Sequence, residues 1–496
     1  MSGCPVHHHG VMKAHGCEHV AVGKFSKLFD LDGLRISEEE AAILGGPGGL
    51  MHDLDGTSND NAIPAGYTFF AQFIDHDITL DTTSQLHGGP MDQKKFKKLP
   101  NIRSASLDMD CVYGFGPEAS PHIYDPDRPG RIAENSNGYD LARTEGGTAL
   151  IGDPRNDENM FVAQMQLLFH RFHNRIYNER IYQEDKREPF NRFEEAQTQT
   201  RYHYQWLVLF DFLKRLCNRD VYKFAVSKLF DDQEAFPLIY GTPTGPAAGT
   251  MPVEFSVAAY RIGHTMVRSV YAANGRNTDI ELFDERFGTL GFSTFPEDLV
   301  VDWRYLLPVD ECIRPRMGKA IDPLLADELQ DLPVVDSNNP ADRALAFRNL
   351  LRGSVLHVPC GQAVAKALNK AGYKTVKTDL DLKLKDVIGD EFAGLRDETP
   401  LFYYILRESE LEEKGERLGP VGSAILLEVF GGMLANCETS FVKADRDWQP
   451  DPCISKERYG WWSEEYQDGF ARSALIENDD YYPFDLADVV RFVEDI

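Results

Sequence analysis

A histidine flanked by acidic residues lies in residues 66–81, whose apolar positions recur with the period of a helix. Gln72, Asp75 and His76 fall at i, i+3 and i+4, so their side chains share one helix face. Burying such a polar group among aromatic neighbours costs free energy unless the group has a task. An imidazole that is neutral near pH 7 can accept and return a proton, which makes His76 a candidate general base. The alternative is a hydrogen-bonded histidine of the core.

A second histidine follows a glycine in the segment Tyr260–Thr265, which reads YRIGHT. Gly263 lets a bulky group approach the backbone beside His264, and a neutral imidazole on an apolar helix is what a haem iron needs as a ligand. Further along the chain, the Asn349 side-chain carbonyl can accept the other ring N–H of a ligating histidine and fix its tautomer. Arg352 can neutralise a carboxylate. The alternatives are a core histidine and an ordinary helix end.

An arginine and a glutamate lie close together in the segment Gly152–Glu158, which reads GDPRNDE. The segment places Arg155 just before the N-terminus of a predicted helix and Glu158 one turn further on. The segment therefore places a guanidinium and a carboxylate close to each other. The alternative is a capping segment with an ion pair on the surface.

Oxygen-bearing side chains alternate with other residues at Ser104, Ser106, Asp108 and Asp110. This alternation in a loop suits a hard cation, and Ca²⁺ takes about six to eight oxygen ligands. The segment is not an EF-hand loop, because the glycine at the sixth position and the terminal glutamate of that motif are absent. The alternative is a polar turn.

The elements that position these residues are predicted to be helices, because strand-like alternation is scarce. The predicted helices cover residues 66–81, 157–180, 190–217, 254–271, 340–353, 361–371, 400–408, 420–436 and 484–494. Gly372 is the predicted stop of one of them. No Pro/Ser-rich linker and no internal repeat divides the chain after residue 40. We therefore expect a mainly α fold, with an N-terminal extension over 1–40 and a single large helical domain over 41–496.

Composition excludes several classes of protein. The 496 residues are 42% apolar, which is enough for a large core, and 26% charged, which is ordinary for a globular chain. A net charge of −27 repels phosphate backbones, so we expect no nucleic-acid partner. The longest apolar helical stretch, residues 422–435, is interrupted by Glu428 and is too short to span a bilayer. The oligomeric state stays open.

The N-terminal residues 1–20 are rich in histidine and cysteine, and either form a metal site or a solvated tail. The residues concerned are Cys4, His7, His8, His9, His15, Cys17 and His19. No Sec-type signal peptide is visible, and the eight cysteines of the chain are dispersed without a CxxC pair. A cytoplasmic location is therefore favoured, with leaderless secretion left open.

Taken in order along residues 45–440, these segments resemble the animal haem peroxidase family of the peroxidase–cyclooxygenase superfamily. The family's distal-helix signature is similar to FFAQFIDHDI, and the end of its calcium loop is similar to DMDCVYG. Its distal Arg/Glu segment is similar to GDPRNDEN with HRFHNRI downstream, and its proximal helix to YRIGHT. Later blocks of the family are similar to IDPLL and RNLLRG. The resemblance favours a bacterial-type member related to myeloperoxidase and peroxinectin, with haem between central helices.

The resemblance assigns a role to each candidate. His76, Arg155 and Gln72 match the distal catalytic residues, His264 matches the proximal iron ligand, and Asn349 matches its hydrogen-bond partner. Arg261 and Arg352 match arginines of the haem environment. The calcium positions match Asp77, Ser104, Ser106, Asp108 and Asp110, with Ser106 contributing its carbonyl. The implied cofactors are haem b and Ca²⁺.

Two carboxylates match the positions that form ester links to haem in mammalian members, namely Asp75 and Glu158. Both are present, so the resemblance allows covalent haem. The chain departs from myeloperoxidase at Asn159, where that enzyme has a methionine that adds a sulfonium link. We therefore expect no such link, and chloride oxidation is placed in doubt.

The resemblance implies an enzyme that reduces hydrogen peroxide while oxidising a small reducing substrate, either a phenolic or organic donor or a halide. One alternative is a haem-dependent fatty-acid dioxygenase of the same superfamily. Those enzymes use a tyrosine three residues before the proximal histidine, where this chain has Arg261, and Tyr260 is one residue further away. The other alternative is a non-catalytic haem- or calcium-binding protein, which would not need both His76 and Arg155.

Overall fold

The computed structural model describes residues 11–14, 17–21, 23–54, 56, 59–81, 85–178, 189–231, 233, 235–242, 245–283, 291–333, 335–450 and 472–494. Side chains are described from residue 23 onward within these ranges, except those of 189–191 and 472–474. The predicted histidine-rich metal site of residues 1–20 therefore lies outside the described side chains.

Helices dominate the described chain, as the sequence predicts. The α-helices are α1 (Glu38–Gly45), α2 (Gly66–Ile78), α3 (Gln93–Phe96), α4 (Asp110–Tyr113), α5 (Gly116–Ala119), α6 (Met160–Ile176), α7 (Pro189–Trp206), α8 (Leu213–Leu216), α9 (Arg219–Leu229), α10 (Val253–Ser256), α11 (Pro340–Arg343), α12 (Leu345–Val355), α13 (Gly361–Ala371), α14 (Gly394–Asp397), α15 (Leu401–Glu413), α16 (Pro420–Asn436), α17 (Phe441–Ala444), α18 (Arg472–Glu477) and α19 (Leu486–Glu494). A π-helical stretch, Leu207–Phe212, joins α7 to α8. The 3₁₀ helices are Pro121–Ile123, Pro154–Asp157, Ala259–His264, Glu297–Leu299, Trp303–Tyr305, Asp327–Gln330, Leu384–Asp386 and Asp390–Phe392.

The strands are short and form small sheets at the margin of the helices. They are β1 (Val11–Ala14), β2 (Cys17–Ala21), β3 (Gly23–Ser26), β4 (Asp60–Pro64), β5 (Pro100–Asn101), β6 (Met251–Pro252), β7 (Val270–Tyr271), β8 (Ile280–Glu281) and β9 (Met317–Lys319). The pairs β1–β2, β4–β9 and β7–β8 are antiparallel. In the remaining sheet β3 pairs antiparallel with β5 and parallel with β6.

The helix starts and stops follow local chemistry. α1 begins with a capping box in which Ser37 and Glu40 bond each other's backbone N–H groups. The Asn159 side chain caps α6 by accepting from the Val162 N–H at 3.0 Å. α13 ends at Gly372 with φ at 133°, as its sequence predicts.

A contiguous apolar core runs from Phe25 to Val490. Its inner helix α16 is buried along nearly its whole length. Glu428 within α16 is also buried, and its carboxylate accepts the N–H groups of Leu238, Ile239 and Tyr240 at 2.8–3.1 Å. Phe25 belongs to this core although it precedes residue 41, and the domain division at residue 40 stays a prediction.

The helix predicted over 254–271 is wrong, and the one predicted over 340–353 is divided at Ala344 into α11 and α12. The sequence predicts a continuous helix over 254–271, but the structure has α10, then the 3₁₀ helix Ala259–His264, then β7. Ala258 breaks the run, with φ at −131° and ψ at −76°. The segment also holds β-branched residues and Gly263, which are poor helix formers, so tertiary contacts decide its shape.

Candidate active site

Helix α2 carries the distal candidates and is held by stacked aromatic rings. Phe73 lies against Phe169 of α6 with ring centroids 4.8 Å apart and planes 12° apart. Phe69 stacks on Phe161 of the same helix at 4.5 Å. Aromatic pairs of this kind add stability beyond the area they bury. The buried face of α2 is thereby fixed against α6, and the polar face is presented to the segments around Arg155 and Arg261.

His76 is 5% exposed and is held through its Nδ1 atom. Nδ1 lies 2.7 Å from Asn156 Oδ1, and Nε2 lies 3.7 Å from a carboxylate oxygen of Glu158. Burial, reinforced by the Arg155 charge, lowers the pKa of His76 to about 4. The ring is therefore neutral at pH 7 and can accept a proton.

Arg155 is braced at the C-terminal end of α2. Its Nη2 donates to the backbone carbonyls of His76 at 3.0 Å and Thr79 at 2.7 Å, and to Asp153 at 2.7 Å. Its Nε also donates to Asp153, at 3.1 Å. Among the described residues Nη1 has no hydrogen-bond partner, so one face of the guanidinium stays available beside His76.

A small amide–carboxylate cluster lies next to the imidazole. Gln72 donates to Glu158, and Asn159 donates to Gln72 at 3.1 Å. Burial is the main cause that raises the pKa of Glu158 to about 7. Glu158 is therefore only partly ionised near neutral pH.

Asp75 joins the distal helix to the proximal segment. One of its oxygens accepts from the Thr79 hydroxyl at 2.9 Å, and the other lies 3.9 Å from the Arg261 guanidinium. One residue earlier, the Tyr260 hydroxyl donates to the Ala71 carbonyl at 3.2 Å. These contacts place the helix of His76 and the segment of His264 face to face.

His264 is held by the predicted partner. The amide nitrogen of Asn349 lies 3.0 Å from His264 Nδ1, and a half-turn of that amide would place its oxygen there instead, as an acceptor. Burial lowers the pKa of His264 to about 3, so the ring is neutral at pH 7. From the same helix as Asn349, Arg352 reaches Asp81 at 3.2 Å.

The residues on the proximal side have the chemistry that an iron porphyrin requires. Within the described chain, Nε2 of His264 has no hydrogen-bond partner, so a neutral nitrogen is available for a metal. A Cβ atom added at Gly263 would first meet the Ala71 side chain, at 4.0 Å. A methyl group at position 263 would therefore fit, in van der Waals contact with α2.

Three buried carboxylates meet on the other side of α2. Oxygen atoms of Asp77, Asp108 and Asp110 lie within 4.8 Å of one another. Asp77 Oδ2 accepts from the Tyr204 hydroxyl at 3.0 Å, while its buried Oδ1 has no partner. Burial, with the charges of the other two carboxylates, raises the pKa of Asp77 well above its ordinary value. Such repulsion is relieved by a bound cation.

The predicted serines belong to this cluster. The hydroxyls of Ser104 and Ser106 both donate to Asp108, each at 2.8 Å. Arg103 links the cluster to the distal side, because it contacts Asp110 at 3.3 Å and Asp153 at 2.7 Å. The predicted site residues thus form a distal group and an acidic group on α2 and its neighbours, and a proximal group whose segment contacts α2 through Tyr260 and Arg261.

Sequence reasoning missed the residues that hold the predicted ones. Asn156 fixes His76, Asp153 fixes Arg155, and Tyr204 contacts Asp77. Asn156 and Asp153 fall inside the segment already singled out, and polar residues adjacent to Arg155 were the available signal. Tyr204 lies in the interior of α7, where nothing in the local pattern sets it apart from core tyrosines.

Comparisons with known proteins bear on the family and the fold. Residues 90–289 match the family model for animal haem peroxidase. The solved structure of peroxidase A from Dictyostelium discoideum is similar with a TM-score of 0.58 and 14% identity, over 88% of this chain and 93% of that chain. The family match over residues 90–289 supports the predicted resemblance to the peroxidase–cyclooxygenase superfamily. The predicted mainly α fold of a haem peroxidase domain is confirmed.

Members of this superfamily with another activity are also similar in structure. The fatty acid alpha-dioxygenase of Arabidopsis thaliana has a TM-score of 0.54 and 15% identity, over 88% of this chain and 75% of that chain. The Oryza sativa fatty acid alpha-dioxygenase has the same TM-score and identity, over 85% of this chain and 77% of that chain. Curated proteins yielded no match. The family match supports a peroxidase-type haem enzyme, and these neighbours leave its specific activity open.

The described helices also bear on membranes. None of them combines the length and the apolar composition needed to cross a bilayer.

Proposed function

We propose that this protein is a haem peroxidase that reduces hydrogen peroxide and oxidises a small phenolic or organic donor or a halide. The observation that carries the proposal is the pairing of a buried neutral imidazole, His76, with the Arg155 guanidinium, together with the His264–Asn349 pair on a segment that contacts the helix of His76. A peroxidase needs a base, a positive charge and an iron ligand, and these residues would supply all three. Haem is the expected cofactor of the matched family.

The proximal residues would hold the cofactor. His264 would ligate the iron through Nε2, and the Asn349 amide would hold its Nδ1–H. Asp75 and Glu158 are the candidates for ester links to the porphyrin. A bound haem supplies the redox chemistry by which peroxide is reduced and a donor is oxidised.

The distal residues would handle the proton and the charge. His76 would take a proton from peroxide at Nε2 and return it to the departing oxygen. The free Nη1 side of Arg155 would stabilise the negative charge that develops on peroxide. Gln72, tied to Glu158 and Asn159, would orient the incoming peroxide.

The acidic cluster would hold Ca²⁺ through Asp77, Asp108, Asp110 and the Ser104 hydroxyl, with the carbonyl of Ser106. The unpartnered buried oxygen of Asp77 supports this proposal, because an orphaned carboxylate oxygen costs free energy unless a ligand satisfies it. A cation next to His76 would make the C-terminal half of α2 rigid.

The decisive experiment compares His76→Ala with His122→Ala, which alters an exposed histidine outside the site. We expect the first variant to keep its Soret band and to lose peroxide-dependent oxidation of a phenol by about 10²–10⁴-fold, as for a lost acid–base group. The control should keep full turnover. Unchanged turnover of His76→Ala would refute the assignment of His76 as the base, and a wild type without peroxide-dependent oxidation of a phenol or a halide would refute the peroxidase function. Acidic acetone extraction of the wild-type protein then tests the ester links, because covalent haem resists extraction.

A second candidate, a haem-dependent fatty-acid dioxygenase, is favoured by the structural likeness to two alpha-dioxygenases. Against it, Arg261 occupies the position where those enzymes carry their tyrosine. Tyr260 stacks on Phe255 at 4.9 Å and donates to the Ala71 carbonyl. The dioxygenase would be favoured if the protein took up oxygen in the presence of a polyunsaturated fatty acid but not in the presence of a phenol and peroxide.

A further inference from the structure

We infer that Asn156 and Gln166 are positioning residues that fix the tautomer of His76, through a chain of side-chain hydrogen bonds that starts at the Cys111 carbonyl. The chain keeps the proton on Nδ1 and leaves Nε2 bare. This inference rests on the proposed function, in which Nε2 is the atom that accepts the proton from peroxide. It adds a device that selects which nitrogen does so.

The chain is short, buried and continuous. His76 Nδ1 lies 2.7 Å from Asn156 Oδ1, and Asn156 Nδ2 lies 2.6 Å from Gln166 Oε1. Gln166 Nε2 lies 3.1 Å from the Cys111 carbonyl oxygen and 2.7 Å from His170 Nε2. Asn156 and Gln166 are both 0% exposed, so bulk water does not compete for these bonds.

The direction of every bond follows from the backbone carbonyl. The Cys111 oxygen can only accept, so the Gln166 side chain must turn its NH₂ group towards it. The amide oxygen of Gln166 then faces Asn156, which must donate through its own NH₂ group. The oxygen of Asn156 therefore faces His76, and the imidazole must carry its proton on Nδ1. Reversing any amide would set two acceptors or two donors against each other.

The far end of the chain agrees with this direction. The second proton of Gln166 Nε2 is donated to His170 Nε2, which must then be unprotonated. Burial lowers the pKa of His170 to about 3, so that ring is neutral and can accept. Both N–H groups of the Gln166 amide therefore have acceptors, and rotating the amide would lose these hydrogen bonds.

The test reads the tautomer directly, by ¹⁵N NMR of histidine-labelled full-length protein in its diamagnetic ferrous carbonyl form. The His76 signals are identified by their loss in His76→Gln. In the wild type we expect a single tautomer with Nε2 at the position of an unprotonated nitrogen. In Gln166→Met the Asn156 amide is free to rotate, so the Nε2 signal should move towards that of a protonated nitrogen. The peroxide reaction should slow by about 10–100-fold, as when such an orienting partner is lost.

Two further variants test whether the tautomer depends on the direction of the hydrogen bonds or only on side-chain packing. Gln166→Glu still offers an oxygen to Asn156 and should retain the wild-type tautomer. Gln164→Met is the matched control, since Gln164 lies on the same helix, is 6% exposed and donates only to the Tyr139 carbonyl at 2.9 Å. Its tautomer and rate should be unchanged.

Should Gln166→Met fail to fold, Asn156→Ala removes the acceptor from His76 by a smaller change and should give the same mixed tautomer. A wild-type signal in both loss variants would overturn the inference, as would an equal change in Gln164→Met. The tautomer is read without turnover, so this outcome is distinct from the absence of peroxide-dependent oxidation in the wild type, which would refute the peroxidase function instead.

Discussion

His76 and His264 lie on two segments that contact each other, and the two rings are held in very different ways. His76 lies on a regular helix, and four polar side chains, Asn156, Arg155, Glu158 and Gln72, form a network around it. His264 ends a short 3₁₀ helix and has one described side-chain hydrogen bond, to Asn349. The two imidazoles have the same chemistry, but a network of side chains surrounds His76, whereas a single side chain holds His264.

The difference follows from the task proposed for each ring. A metal ligand is oriented by the metal itself once it binds, so one amide on the remaining nitrogen suffices. A base has no such partner, and the protein must decide both its orientation and which nitrogen is bare. The buried amides around His76 meet that need, and they explain why uncharged polar groups are kept in a core where they cost free energy.

The strongest way to break this comparison is to remove the proximal ring. His264→Ala should abolish haem binding, because no other described imidazole was found at that face, and the Soret band should be absent from the purified variant. His76→Ala, which changes the other ring, should bind haem normally. If the two variants retained equal haem, the division into ligand and base would be wrong.

The next largest effect is expected at Arg155. Arg155→Leu removes the charge beside His76 and should slow the peroxide reaction by about 10²–10³-fold, the usual loss for one stabilising donor. Arg155→Lys should recover little of it, because an ammonium held by Asp153 and the two backbone carbonyls has no second nitrogen to offer to peroxide, as Nη1 does. Stopped-flow measurement of the reaction with peroxide gives both rates. Full activity in the lysine variant would mean that charge alone matters.

Arg103 links the acidic cluster to Asp153 on the distal side, so the cluster offers a further test of the comparison. Asp77→Asn keeps the shape and removes one buried charge. We expect chelation to lower the stability of the wild type by about 3 kcal/mol, the gain for a cation at a hundred times its Kd, and to leave Asp77→Asn nearly unaffected. Thermal unfolding with and without a chelator measures the difference. Asp127→Asn, on an exposed turn, should behave as the wild type; equal sensitivity in all three proteins would exclude the site.

The sequence predicts the residues that carry out the chemistry better than it predicts the residues that hold them in place. The helical period predicts that Gln72, Asp75 and His76 share a face, and the structure brings them together. The chain from Asn156 to Gln166 is invisible to such reasoning, because it joins a 3₁₀ turn to a helix interior and depends on how both pack on Cys111. The shape of the segment before His264 was also missed, since weak helix propensity leaves the outcome to tertiary contacts.

The smallest expected effect is the pH dependence, which distinguishes the distal ring from its carboxylate neighbour. The pKa of His76 is lowered to about 4, so the base stays neutral as the pH falls from 7, and the peroxide reaction should fail only below about pH 4. The pKa of Glu158 is raised to about 7. Above that pH its carboxylate, 3.7 Å from His76 Nε2, favours proton uptake by the ring and should raise the rate modestly.

Rate profiles of the wild type and Glu158→Gln separate the two groups. The variant should lose the inflection near pH 7 and keep the limb near pH 4. Arg155→Leu should move that lower limb to higher pH, because the guanidinium is one of the charges that hold the pKa of His76 down. A limb near pH 6.5 in the wild type would mean that the ring is not buried as described. The polar side chains around His76 would then not hold a buried, neutral ring, and the contrast with His264 would fail.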